Sequence, residues 1–119
     1  MITEIKQNIG TTEQILYTCP FGKVSTISRF SITNTESESI TFDLRYYNAS
    51  SNSSIYLAKN GVLSEGTQHV SVSNTNTLVL NVNDYITVMS NTDSSIDAIV
   101  TYEESDVWWI HIGKIILDI

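Results

Sequence analysis

The chain has 119 residues, a net charge of -7 from 13 acidic and 6 basic side chains, and one cysteine. This length predicts a single domain, and the negative charge argues against nucleic acid and anionic membrane surfaces, since both repel an acidic protein. A lone cysteine excludes an intrachain disulfide. The first residues show no basic region followed by an apolar run, so we expect no secretory signal and synthesis in a cytosol.

Strands are the only regular elements that the sequence predicts. No stretch has the sustained apolar spacing of an amphipathic helix. Apolar and polar residues alternate most clearly at 40–46 and 96–102, as a half-buried antiparallel strand requires. In chain order, the predicted strands are 13–18, 24–34, 40–46, 54–59, 68–73, 77–81, 84–90 and 96–102. Turn residues separate them at a spacing of about 8 to 12 residues, which is typical of an all-β sandwich or barrel.

Two of these regions carry a finer prediction about the backbone. The apolar phase slips between Ile27 and Phe30, which predicts a β-bulge near Ser28-Arg29. Further along, both residues of Asn60-Gly61 tolerate positive φ, which predicts a tight hairpin turn after the strand at 54–59.

The sequence predicts no catalytic, cofactor or metal site. His69 and His111 are the only histidines, and neither has a second ligand at metal-binding spacing. Cys19 is predicted to be a small buried side chain, and the acidic cluster at 103–106 a solvated strand end. No calcium-binding loop pattern gathers the remaining aspartates, which are Asp43, Asp84, Asp93 and Asp97. We therefore expect a protein that is not an enzyme.

Paired aromatic residues are the remaining candidates for binding. Tyr46-Tyr47 and Trp108-Trp109 each send one ring to either face of a strand. Tyr46 is expected in the core. Tyr47 and the two tryptophans are candidates for stacking on sugar rings or for anchoring a protein interface.

Three runs of the sequence resemble a group of small bacteriophage virion proteins. They are ILYTCPFGKVSTISRFSITNT at 15–35, YLAKNGVLSEGTQHV at 56–70 and LVLNVNDYITVMSNTDSSIDAIVTYEE at 78–104. The resemblance implies an antiparallel, jelly-roll-like β-sandwich on the virion, as a head decoration (cement) protein, a head-fibre base or a tail accessory, made in the host bacterial cytoplasm. One departure is Val82-Asn83, where the group has glycine before Asp84; asparagine allows the same turn.

The segment 107–119, VWWIHIGKIILDI, is the most apolar part of the chain, with nine large apolar side chains in thirteen residues. A helix of this length would rise only about 20 Å, less than the roughly 30 Å hydrocarbon core, so no membrane span is predicted. We expect a β-sandwich domain at 1–106 and a C-terminal hydrophobic strand or docking arm at 107–119. The predicted partner-binding residues are Trp108, Trp109, Ile110, Ile112, Ile115, Ile116, Leu117 and Ile119.

Three roles for this segment are open. It finishes the monomer core, completes a sheet at a subunit boundary, or adds as a strand to a neighbouring protein. The predicted function is a bacteriophage structural protein, most specifically a capsid decoration protein held by apolar and strand-edge contacts. The alternatives are a tail-associated accessory and a carbohydrate-contacting receptor-binding module. The predicted partners are a second copy, as a homodimer or homotrimer, and a capsid or tail protein, with a glycan for the last alternative.

Overall fold

The computed structural model describes residues 1–107 and contains β-strands and turns, with no helix among those residues. Consequently, no helix in this part of the chain could span a membrane. The strands are β1 (Ile2–Ile9), β2 (Gln14–Thr18), β3 (Lys23–Asn34), β4 (Ile40–Asn48), β5 (Ser53–Leu63), β6 (Gln68–Val72), β7 (Leu78–Leu80), β8 (Tyr85–Ser90) and β9 (Ile96–Asp106). The predicted all-β class and the eight predicted strands are confirmed.

The strands form two antiparallel sheets that pack face to face, which confirms the predicted sandwich. Sheet A has the order β1-β9-β3-β6, with β7 also paired to β3, and sheet B has the order β2-β8-β4-β5. Alternate residues of each strand point inward, so Phe42 and Leu44 of β4 and Val100 and Tyr102 of β9 are buried. The buried apolar core is Ile9, Tyr17, Cys19, Ile27, Phe30, Ile32, Ile40, Phe42, Leu44, Leu63, Val72, Leu80, Ile86, Val88, Ile96, Ala98, Val100 and Tyr102.

The predicted bulge in β3 is confirmed. Ile27 pairs with Tyr102 and Arg29 pairs with Thr101, so Ser28 is an extra residue opposite two consecutive residues of β9. This insertion reverses the side-chain phase of β3 and allows both Ile27 and Phe30 to face the core.

The predicted hairpin at Asn60-Gly61 is wrong. Both residues lie inside β5, where Gly61 pairs with Phe42 of β4. Asn60 has φ 51° and its N–H donates to Asp43 Oδ1 at 2.8 Å, in a bulge that inserts one residue into β5. A Cβ on Gly61 would lie 2.6 Å from Phe42 Cζ. Asn60-Gly61 therefore bends the edge strand β5 and leaves room for the buried Phe42 ring. The chain does not reverse direction there.

The first strand, β1, is missing from the predicted set. Its side chains that face sheet B include Glu4 and Lys6, which pair with Val100 and Ala98 of β9. An edge strand whose inward positions are charged has no apolar alternation to detect, and inward charges on an edge also oppose pairing with other strands.

Candidate interaction surfaces

The predicted partner-binding residues Trp108, Trp109, Ile110, Ile112, Ile115, Ile116, Leu117 and Ile119 lie outside the described residues. The last described residue, Val107, donates its N–H to the carbonyl of Gly22 at 3.0 Å. Just before it, Asp106 forms an ion pair with Lys23 at the end of the β3–β9 pairing. The apolar segment thus begins at one end of the sandwich, beside the turn between β2 and β3.

The end of β9 is a solvated strand end, as the acidic cluster predicted. Within residues 1–107, the buried apolar core runs from Ile9 to Tyr102. Beyond it, Glu103 and Asp106 are exposed while β9 continues to pair with β3. The two sheets therefore bury a shared core within the described residues, before the apolar segment begins.

Cys19 is fully buried, as predicted for a small core side chain. Its Sγ accepts a hydrogen bond from Ser25 Oγ at 3.3 Å and donates to the Lys23 carbonyl at 3.4 Å. Burial raises the pKa of the thiol above its ordinary value, which keeps it protonated and weakens it as a nucleophile. Among residues 1–107, no group of His, Cys, Asp and Glu side chains is arranged to hold a metal ion.

Asp84 organises one end of the sandwich, a role that no sequence pattern predicted. It is 1% exposed. Its Oδ2 accepts hydrogen bonds from the Tyr46 hydroxyl at 2.8 Å and the Asn81 N–H at 2.9 Å, and its Oδ1 accepts the Ala49 N–H at 2.8 Å. The carboxylate therefore joins the β4–β5 and β7–β8 connections. The turn before it uses Asn83 at φ 68°, which confirms that asparagine adopts the backbone conformation this turn requires.

Tyrosine rings lie on the outer face of sheet B. Tyr46 packs partly buried against the core, as predicted, while Tyr47 points outward and stacks on Tyr85 with ring centroids 4.6 Å apart. Tyr56 of β5 is 47% exposed. We call Tyr47, Tyr56 and Tyr85 the tyrosine face. Tyr47 was a predicted stacking residue; Tyr56 was not, because the run that contains it has no second aromatic residue.

Charged side chains accompany the tyrosine face. Arg45 Cζ lies 5.4 Å and Lys59 Nζ 5.1 Å from the Tyr56 ring centroid, both within range of a cation–π contact. Arg45 also donates to Glu13 Oε2 at 3.1 Å and to Ser54 Oγ at 2.6 Å. On this face, the charged groups therefore already have cation–π or hydrogen-bond partners within the described part of the chain.

The outer face of sheet A is different in chemistry. Ile5 of β1 pairs with Ile99 of β9, Ile99 with Ser31 of β3, and Ser31 with Val70 of β6. We call these four residues the cross-strand row. Ile5 is 70% and Val70 53% exposed, and Ser31 between them is 1% exposed. The row crosses the whole sheet as a line of mostly β-branched side chains.

Where β1 faces sheet B, the two sheets leave a groove of about 550 Å³, lined by Glu4, Lys6, Leu16 and Val100 among others. At its side the Tyr102 hydroxyl donates to Glu4 Oε1 at 3.0 Å. Burial, and then this bond, raise the pKa of Tyr102 above its ordinary value. The groove therefore combines two charged side chains, Glu4 and Lys6, with apolar walls that include Leu16 and Val100.

No family model and no curated protein matches the chain. Among solved structures, the chain is similar to a chain in the structure of infectious bursal disease virus, Gt strain, with a TM-score of 0.38 and 9% sequence identity. The similarity covers 83% of this chain and 30% of that chain, so this chain spans less than a third of the viral chain's length. These comparisons show no bacteriophage family.

Proposed function

We propose that the chain is a structural protein of a bacteriophage virion, most specifically a capsid decoration protein that attaches through residues 107–119. The observation that carries this proposal is the position of Val107. The strands before it already enclose a core, and the most apolar segment of the chain begins directly after it, at one end of the sandwich.

The strand pairing supports a jelly-roll connection, which the sequence resemblance implied. β1 pairs with β9, β2 with β8, β3 with β6 and β4 with β5, all antiparallel. These pairs are nested like the two arms of one long ribbon. The additional pairings β3–β9 and β4–β8 roll the ribbon into two sheets. Jelly rolls of this kind occur in viral capsid and lectin domains, but a fold alone does not assign a function.

The energetics favour attachment through the apolar segment. Each large apolar side chain contributes roughly 1.5 to 3 kcal/mol when it is fully buried, and the segment has nine of them. Ordering the segment and docking it oppose this gain, yet a surplus remains for binding. The net charge of -7 keeps free copies soluble before assembly.

Truncation after Asp106 tests the proposal. The shortened chain and the full chain are mixed with phage particles that lack the protein, and bound protein is measured after sedimentation. We expect the shortened chain to lose attachment while its thermal unfolding midpoint changes little. The full-length control Val62→Ala alters an exposed apolar residue of β5 and is expected to attach normally. Normal attachment of the shortened chain together with a lower midpoint would show that the segment finishes the monomer core.

A carbohydrate-contacting role is the second candidate, and the tyrosine face favours it. Aromatic rings bind the apolar faces of sugars, and the half-exposed ring of Tyr56 has two cationic side chains beside it. The test is a glycan array with the full chain, Tyr56→Ala and the control Val62→Ala. Sugar binding that is lost in Tyr56→Ala and kept in the control supports this role. An array without any bound glycan rejects it.

A further inference from the structure

We infer that the outer face of sheet A is a two-fold interface with a second copy of this chain. The inference rests on residues of β1, β3, β6 and β9 and depends neither on the virion role nor on residues 107–119. Self-association, which the apolar sequence of 107–119 predicted at the C-terminal segment, is here placed on the outer face of sheet A.

The first support is the cross-strand row itself. Ile5, Ile99 and Val70 lie in register on adjacent strands, and Ile5 and Val70 expose most of their side chains. Their neighbours on this face include Thr3 and Thr101, whose hydroxyl oxygens lie 3.0 Å apart in a hydrogen bond. A flat strip of β-branched side chains bordered by threonines can pack on another sheet at about 10 Å separation.

The second support is the placement of charge on either side of the row. Asp97 pairs with Thr33 on one side, and Arg29 pairs with Thr101 on the other. Two shallow depressions mark these sides. One is lined by Ile5, Ile99 and Asp97 among others, and the other by Val70, Thr101 and Arg29 among others. Immediately beside the row, one side therefore carries Asp97 and the other carries Arg29, and the exposed Glu103 of β9 lies further out on the side of Arg29.

This arrangement is self-complementary. A two-fold axis along the row turns the second copy over, so that its Arg29 side lies against the Asp97 side of the first. Asp97 of one copy and Arg29 of the other then lie at the same height along their strands, but on adjacent strand positions, because Asp97 is on β9 and Arg29 on β3. The sideways displacement is one strand spacing of roughly 5 Å, which a long arginine side chain can span. The same contact forms a second time by symmetry, as an isologous interface requires.

The charges concerned are available for such contacts. Within residues 1–107, neither Arg29 nor Asp97 has an ion-pair partner, and Asp97 Oδ1 accepts only the N–H of Asn8, at 3.1 Å. A second copy is the occupant that the pattern favours, because the two charged residues nearest the row, Asp97 and Arg29, lie on opposite sides of it and exchange sides when the face is reversed. Two such pairs also offset part of the repulsion between two chains of charge -7.

A charge exchange in the full chain tests the interface. Arg29→Glu and Asp97→Lys, made singly, bring like charges together, and we expect each to weaken dimerisation roughly tenfold or more in sedimentation equilibrium. The double variant restores opposite charges and is expected to recover most of the affinity. Ile5→Lys places a charge in the row and is expected to leave a monomer. Val62→Lys is the matched control, since Val62 on sheet B is exposed to the same 70% as Ile5.

Thermal unfolding of every variant accompanies the measurement. Asp97→Lys also loses the hydrogen bond from the Asn8 N–H. If this variant unfolds at a lower temperature, the dimer affinities of Arg29→Glu and Ile5→Lys decide the test. A monomeric wild-type chain, or an oligomer that these two variants leave intact, overturns the inference. Attachment to particles is measured separately, so failure of the virion proposal and failure of this interface give different results.

Discussion

The two outer faces of the sandwich come from the same alternation of side chains but differ in how their polar groups are satisfied. On sheet B, Glu13 accepts hydrogen bonds from both Arg45 and Thr87, and Arg45 lies over the Tyr56 ring. On sheet A, Arg29 and Asp97 form no ion pair within residues 1–107. A face whose charges are paired internally gains little from a protein partner, whereas a face with an apolar row and unpaired charges gains both kinds of contact.

The largest predicted effect lies away from both faces, at the buried carboxylate of Asp84 at one end of the sandwich. Asp84→Ala deprives the Tyr46 hydroxyl and the N–H groups of Ala49 and Asn81 of their acceptor. We expect the free energy of unfolding to fall by roughly 3 to 5 kcal/mol, since a hydrogen bond to a charged group contributes about 1.5 to 3 kcal/mol and these three donors, which are only partly buried, regain some bonding to water. Urea denaturation measures this loss.

Asp93→Ala is the matched control for Asp84→Ala. Asp93 is an exposed aspartate whose Oδ1 accepts a hydrogen bond from the Thr11 hydroxyl, and we expect a change of less than about 1 kcal/mol. Equal losses in the two variants would show that Asp84 does not hold the β4–β5 and β7–β8 connections together.

An intermediate effect is expected from alkaline pH, which acts on the core between the two faces. Burial raises the pKa of Tyr17 from 10.0 to about 12. The folded state therefore holds the phenol proton more tightly than the unfolded state. Its stabilisation is complete below pH 10 and is lost as the pH rises from 10 to 12, by roughly 2 to 3 kcal/mol. The raised pKa of Tyr102 adds to this loss in the same direction.

Urea denaturation at several pH values between 9 and about 12 measures the alkaline loss. In Tyr17→Phe the steepness of the decline is expected to decrease, because only the raised phenol pKa values of Tyr102 and of the partly buried Tyr46 then contribute within residues 1–107. A pH dependence identical to that of the wild type would rule out Tyr17 as a source.

The smallest effect is expected at the ion pair of sheet B. Glu13 and Arg45 each keep 36% of their side-chain exposure, so water screens their attraction. A double-mutant cycle of Glu13→Ala and Arg45→Ala is expected to give a coupling free energy below about 1 kcal/mol. The matching cycle of Arg29→Ala and Asp97→Ala is measured on dimer affinity. A coupling free energy that is found in dimer affinity and not in unfolding of the monomer supports the contrast between the faces. Coupling in the monomer's unfolding at Arg29 and Asp97 would contradict it.

Several local predictions succeeded because short-range rules determine them. The phase slip between Ile27 and Phe30 requires a bulge wherever both side chains must be buried, and Asn83 supplies the positive φ that its turn needs. The hairpin at Asn60-Gly61 failed because positive φ serves bulges as well as turns. Only the close approach of the Phe42 ring shows which of the two occurs there.

The sequence by itself determined the strands from β2 to β9, the two-sided alternation and the burial of Cys19, since side-chain period and local turn chemistry are properties of neighbouring residues. Tertiary structure alone decided the role of Asp84, whose hydrogen-bond donors come from positions up to 38 residues away. It also decided the cross-strand row, whose members become neighbours only through pairings between distant strands. Contacts of this kind depend on which strands pair and in which register, and the period of an individual strand carries no information about its partner.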